Sequence, residues 1–172
     1  SIVGRLELFR ESGVQSSVEA ARCPGRKVFL VHGHNNEARE TVARFLEKLG
    51  LDVTILHEYP SSGRTIIEKF EDHTVDVDFA VILLTDDDVG ANKTKVDALC
   101  SRARQNVVFE HGFFVGKLGR KRVCALKTDT VEVPSDLHGV LYVHLDSGGN
   151  WRLLLAKEIN AAGISIDLNK AK

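Results

Sequence analysis

The sequence contains no methionine, and only three cysteines and three prolines among its 172 residues. The odd set Cys23, Cys100 and Cys124, with no CxxC spacing, excludes a disulfide framework and a zinc ribbon and fits a reducing cytoplasm. Net charge is also lacking. The 23 Lys and Arg residues against 24 Asp and Glu leave a formal charge of −1. That balance excludes direct nucleic-acid binding through a basic face. The longest purely apolar run is Phe79–Leu84, far short of the ~20 residues that a membrane span needs. No membrane partner is therefore expected. Nor does a basic stretch followed by an apolar one open the chain, so no secretory signal is expected. With no methionine and Ser1 at its start, the chain reads as a piece cut from something longer.

What is present is ordinary for a globular protein: 43% hydrophobic and 27% charged residues, in a length that suits one core. Five apolar runs stand out: Lys27–Val31, Asp52–Leu56, Phe79–Leu84, Arg122–Leu126 and Leu141–Leu145. Each is rich in Val, Ile, Leu and Phe and largely non-alternating, which reads as a strand buried on both faces of a parallel sheet. Between the first two, Ala38, Val42, Phe45, Leu46 and Leu49 mark one helix face, with Asn35 or Asn36 as cap and Gly50 as the left-handed stop. Thr65-Ile-Ile-Glu68 has the spacing of a capping box opening a second helix. A last helix over Trp151–Ala162 would bury Trp151, Leu154, Leu155 and Ile159 and stop at Gly163. Alternation of this kind predicts a doubly wound α/β domain of five parallel strands over residues 26–172. Residues 1–25, with Ser12–Ser17 and Pro24-Gly25, read as a linker or helix from an absent upstream domain.

In such sheets ligands bind beyond the carboxyl ends of the strands, which singles out the loops 32–36, 57–64, 85–90 and 127–138. His32-Gly33-His34-Asn35-Asn36 has one glycine where a dinucleotide turn needs GxGxxG, so that fingerprint is excluded. Gly33 would still let a ligand reach the backbone, with the next helix N-terminus favouring an anion. The HxH spacing of His32 and His34 has no third ligand at a recognisable distance, and no metal is expected. In the second loop, Gly63 gives freedom to move and Arg64 could grip a phosphate bidentately. Asp86-Asp87-Asp88 stands where a phosphoacceptor would in a receiver domain. The acidic pair that would hold magnesium there is replaced by His-Gly-His, so the triplet reads as a helix N-cap with solvated neighbours.

Arg102 to Gly119 is the most informative stretch: apolar over most of a helical circumference, yet carrying one acid. On a helical wheel Asn106, Glu110, Phe113, Phe114 and Lys117 share a stripe, while Val108, Gly112 and Val115 lie opposite. Gly112 and Gly116 would let that second face approach the sheet closely. A lone carboxylate among phenylalanines is costly unless something offsets it. It is either an ion-pair partner of Arg102, Arg104 or Lys117, or a functional group.

Four segments, taken together, resemble the TIR domain, and within it the bacterial TIR-like branch of anti-phage signalling systems. They are Lys27-Val-Phe-Leu-Val-His-Gly-His34, Gly63-Arg-Thr-Ile-Ile-Glu-Lys-Phe70, Phe79-Ala-Val-Ile-Leu-Leu-Thr-Asp-Asp87 and Arg104-Gln-Asn-Val-Val-Phe-Glu-His-Gly-Phe-Phe114. The resemblance runs from about residue 27 to 168 and implies a flavodoxin-like fold. It implies NAD+ as substrate rather than a bound cofactor, cleaved with release of nicotinamide by a glutamate that matches Glu110. Gly33, His34, Gly63, Arg64, Arg104 and Asn106 are the implied substrate contacts; Asn106 stands where many relatives carry an aromatic residue. The resemblance also implies a cytoplasmic effector activated by self-association, with the 57–64 loop meeting a neighbouring copy. An upstream sensor domain in the same chain, of the kind a cyclic nucleotide loads, would trigger it. One carboxylate suffices for that chemistry. Nicotinamide departs neutral from a cationic ground state, so the general acid of an ordinary glycosidase is not needed. Two other readings remain open at this stage: a non-catalytic TIR module that binds a nucleotide or another TIR domain, and a receiver-like switch phosphorylated on Asp86.

Overall fold

A computed structural model of the chain describes residues 25–55, 71–133 and 141–171. Strand β1 (Lys27–Val31) leads into helix α1 (Asn36–Lys48) and strand β2 (Asp52–Thr54). Strands β3 (Phe79–Leu84), β4 (Asp88–Gly90) and β5 (Cys100–Arg102) precede helix α2 (Gln105–Leu118). Strands β6 (Val123–Lys127), β7 (Val131–Glu132) and β8 (Leu141–His144) and helix α3 (Trp151–Ala161) complete the order, with short 3-10 turns at Arg120–Arg122 and Leu168–Ala171.

The main sheet has five strands in the order β2-β1-β3-β6-β8, each pairing parallel and in register, as in Val28↔Phe79 and Leu83↔Leu126. Counted within this sheet the order is 2-1-3-4-5, that of the flavodoxin-like fold. Side chains of alternate strand residues go to opposite faces. Val28, Leu30, Val81, Leu83, Cys124 and Leu126 pack with Val42, Phe45 and Leu46 of α1 and with Trp151, Leu155 and Ile159 of α3. Phe29, Val31, Ala80, Ile82, Leu84 and Ala125 pack with Val107 and Phe114 of α2. Both faces are thus covered by helices, which is why the strands carry unbroken apolar runs. The expected fold is the observed one.

Local rules place α1 cleanly. The Asn35 side chain accepts the Ala38 N–H at 2.9 Å, Glu37 lies in the first turn and Lys48 in the last. Gly50 takes the left-handed conformation at φ +79° and stops the helix. In α3, Leu154 is 46% exposed, and Ala156 takes the buried place expected of it. Backbone N–H groups of Asn150 and Trp151 donate to the Asp146 carboxylate, which covers the start of that helix.

One part of the fold was not expected. Between β3 and α2 the chain folds β4 and β5 into an antiparallel pair, and β5 then pairs with β7 to make a second, three-stranded sheet. No helix follows Asp86-Asp87-Asp88, so the N-cap reading fails: Asp88 opens β4, and the Asp87 carboxylate accepts the Thr85 hydroxyl at 2.7 Å. Likewise Arg102 belongs to β5, not to the helix after it. The helix expected from Thr65 begins outside the described residues, as does the linker expected before residue 25; residues 71–73 are helical.

Candidate active site at the carboxyl edge of the sheet

The carboxyl ends of β1 and β3 and the first turns of α2 meet at one edge of the sheet. Helix α2 is anchored there by Val107, His111 and Phe114, all buried and spaced along one stripe at helical intervals. The Phe114 ring lies 4.9 Å from that of Phe29 on β1 and 5.6 Å from that of Phe113. This stripe is rotated by one position from the face expected. Gly112 and Gly116 face solvent, where an added Cβ would meet nothing within 4 Å; they do not bring the helix closer to the sheet. No packing contact explains them.

Glu110 lies on the flank of the anchored stripe, partly buried. Burial pushes its carboxyl up from 4.5 to about 7, because it strips the ion of water and no described residue offsets the loss. Each cation offered as its partner is engaged elsewhere. The Arg102 guanidinium donates to Glu132 at 2.8 Å. Arg104 donates to Nε2 of His34 at 2.6 Å. The Lys117 ammonium donates to the Thr74 hydroxyl at 2.8 Å and lies over the Phe113 ring. The paired-carboxylate reading of Glu110 is therefore incorrect. Asn106, one turn earlier on α2, is exposed.

The Arg104–His34 hydrogen bond joins residues 70 positions apart in sequence. A guanidinium only donates, so Nε2 is the acceptor in this contact; among the described residues the other His34 nitrogen and the other guanidinium N–H groups make no hydrogen bond. Arg104 stands at the N-cap position of α2, where no side chain caps the helix and no acid occupies the first turn. Cationic and N–H donor groups thus gather at the positive end of the helix dipole.

Gly33 is buried, and the close approach it permits is taken by Asp87 rather than left open. A Cβ built on Gly33 would overlap the Asp87 carboxylate oxygen. Of the expected site residues, Gly33, His34 and Arg104 come together; Asn106 and Glu110 follow along α2. Glu110 lies six residues beyond Arg104, about 9 Å along the helix axis at 1.5 Å per residue. Gly63 and Arg64 lie outside the described residues. Among the described residues no group of three or more His, Cys, Asp or Glu side chains could hold a metal ion, and no helix is long and apolar enough to cross a membrane. An open cavity of about 610 Å³ lies at the opposite edge of the sheet, by Lys27, Asp52 and Asp76, where folds of this kind do not bind their ligands.

Sequence reasoning passed over two groups at this edge. His111, next to Glu110, is fully buried, and among the described residues neither ring nitrogen has a hydrogen-bond partner. Its ring stands edge-on to Tyr142 of β8, 6.3 Å between centroids, and burial lowers its pKa, holding it neutral. Its position four residues after Val107 and three before Phe114 was the available signal. The second is Asp87, hidden inside an acidic triplet that looked merely solvated.

The arrangement can be compared with known proteins. The family model of the CAP12/Pycsar effector protein TIR domain matches residues 27–147. The chain belongs to that TIR family. The match begins with β1 and runs through β8, so it includes every described residue of the carboxyl edge. Protein YuaY of Escherichia coli, named as uncharacterized, is 46% identical over 165 residues, covering 96% of this chain and 55% of YuaY. Protein tirC of Dictyostelium discoideum is 37% identical over 127 residues, 69% of this chain and 63% of tirC. The Pycsar effector protein PaPycTIR of Pseudomonas aeruginosa is 38% identical over 76 residues, 43% of this chain and 24% of that protein. The chain therefore spans only part of the length of each of these relatives.

Proposed function

We propose that this TIR domain is the catalytic part of an anti-phage effector that hydrolyses NAD+, water taking the place of nicotinamide on the ribose to give ADP-ribose and a proton. The observation that carries the reading is Glu110: a carboxylate lifted to about 7 by burial, while the hydrogen bonds of Arg102, Arg104 and Lys117 go to other groups. Groups with pKa values shifted in this way cluster at functional sites, where a ligand offsets the cost. The cationic nicotinamide and the oxocarbenium ion that forms as it leaves are such ligands. Glu110, once ionised, faces developing positive charge in a setting of low dielectric, where the attraction is strong. Binding the cationic substrate also draws its pKa back down, so ionisation and substrate binding favour each other.

The other groups fit the rest of the dinucleotide. Arg104, the Nδ1–H of His34 and the uncapped start of α2 would hold the diphosphate. Gly63 and Arg64 stay with this reading as contacts from the loop after β2. Asn106 replaces the aromatic residue of many relatives and would leave the nicotinamide less tightly stacked. Self-association of TIR domains activates the enzyme, and an upstream sensor responsive to a cyclic nucleotide drives that association. The setting is the cytoplasm, with NAD+ as substrate and no resident cofactor.

NAD+ incubated with dilute and with artificially clustered protein, followed by chromatography of the products, tests the reading. Nicotinamide is expected to appear in proportion to clustering, with linear or cyclic ADP-ribose beside it. Intact NAD+ at every degree of clustering would favour the other reading, a non-catalytic TIR module.

A further inference from the structure

Asp87 belongs to a triplet that the sequence presents as three equivalent acids, but the fold separates them. Asp86 is exposed and Asp88 begins β4. Asp87 turns in against the backbone of Gly33, so closely that no other residue type would fit at position 33 without displacing it. One carboxylate oxygen, Oδ2, accepts the hydroxyl of Thr85, itself 1% exposed. Among the described residues its other oxygen, Oδ1, accepts no hydrogen bond. Asp87 is therefore an acid held in a fixed place with an acceptor unspent.

Contacts connect it to the rest of the edge in a definite order. Asp87 packs on Gly33, Gly33 is followed by His34, His34 accepts from Arg104, and Arg104 opens the helix that carries Glu110. Were a dinucleotide to follow that line with its scissile ribose at Glu110 and its diphosphate at Arg104 and His34, its second ribose would come to Asp87. Vicinal hydroxyls are good donors to a carboxylate, whereas a phosphate ester in their place brings like charge against it.

We propose that Asp87 is a specificity-determining residue of the site, accepting the hydroxyls of the adenosine ribose and rejecting a ribose that carries a 2′-phosphate. The inference rests on the NAD+ reading given above. It assigns a role to the carboxyl end of β3 that the glutamate alone does not supply, and it explains why a glycine must stand opposite.

The test compares NAD+ with NADP+, which differ only in that phosphate, for wild type, Asp87→Asn and Thr85→Val. Asparagine keeps the size of the side chain and can still accept from Thr85. Valine keeps the shape of Thr85 but releases Asp87, and it serves if Asp87→Asn fails to fold. Both cleavage and equilibrium binding by calorimetry are measured on the full chain. Wild type is expected to favour NAD+ at least tenfold. Asp87→Asn should lower that preference tenfold or more, mainly by better use of NADP+, and Thr85→Val should move it less in the same direction. Unchanged preference in both folded variants, or a wild type indifferent to the phosphate, overturns the proposal. If wild type binds but releases no nicotinamide, catalysis alone is refuted and the binding ratios still decide the role of Asp87. If it binds neither dinucleotide, both readings fall.

Discussion

Helices α1 and α2 lie on opposite faces of the same sheet, and they keep opposite accounts with physical chemistry. Helix α1 obeys every local rule: an asparagine cap at 2.9 Å, an acid in the first turn, a lysine in the last, and a charged outer face where Glu40 pairs with Arg39. Helix α2 breaks several. It has no side-chain cap and no early acid. It also carries two outward glycines, a buried imidazole with no hydrogen-bond partner among the described residues, and a carboxylate that burial has made hard to ionise. Departures from local consistency gather where function outweighs stability. The helix that is badly made by the standards of folding is the one that faces the edge where this fold takes its ligand.

The contrast can be sharpened first through pH. On the proposed reading NAD+ cleavage needs ionised Glu110, so kcat/KM for NAD+ should rise as pH increases through about 7. Below that limb it should fall close to tenfold per unit, a loss of roughly a hundredfold by two units below. A pH–rate profile flat across this range would separate Glu110 from the chemistry.

Stability should respond in the opposite sense. The folded pKa of Glu110 is raised above its unfolded value of 4.5 to about 7, so its charging penalty is absent below 4.5 and grows as pH rises through 7. Glu110→Gln should therefore stabilise the domain at pH 8, by no more than about 3 kcal/mol since one unit is 1.36 kcal/mol and the group is partly solvated. The gain should disappear near pH 4.5. His111 acts the other way: its folded pKa is depressed, so stability falls once pH drops through the unfolded value of about 6.5. In Glu110→Gln only that second slope remains, and His111→Phe should flatten it. Urea titrations at several pH values check both.

The smallest effects break the comparison at the helix starts. Asn35→Ala should cost α1 about 1 kcal/mol and leave NAD+ cleavage as it was. Arg104→Ala removes no cap from α2, so stability should change by less than ~0.5 kcal/mol, while KM for NAD+ rises. A stability loss at Arg104 equal to that at Asn35 would make the two helix starts alike.

How much of this was legible follows from what each residue does. The strands β1 and β3 were readable to the residue, since a strand buried on both faces must be apolar throughout, and so was the stop of α1 at Gly50, while its cap was narrowed only to Asn35 or Asn36. Glu110 was readable as an anomaly, because an acid inside an apolar helix has few ordinary explanations. What removed the ordinary one, the separate engagement of Arg102, Arg104 and Lys117, depends on partners 30, 70 and 43 residues away. No helical wheel contains them. The small sheet of β4, β5 and β7 was hidden because strands of two or three residues have no period to detect. The stripe of α2 was misplaced by one position because a helix apolar nearly all round gives no sharp face, and a buried histidine was counted as polar. Asp87 escaped because charge alone does not distinguish three neighbouring acids; Gly33, 54 positions earlier, does.

The central claim is that Glu110, which has no ion-pair partner among the described residues, serves the proposed reaction. Nicotinamide release from NAD+ by clustered protein, wild type against Glu110→Gln with both folds checked by circular dichroism, tests it most directly. Glutamine keeps shape and burial and removes only the charge, so release should fall at least a hundredfold at pH 8. Release by Glu110→Gln at the wild-type rate would contradict the account.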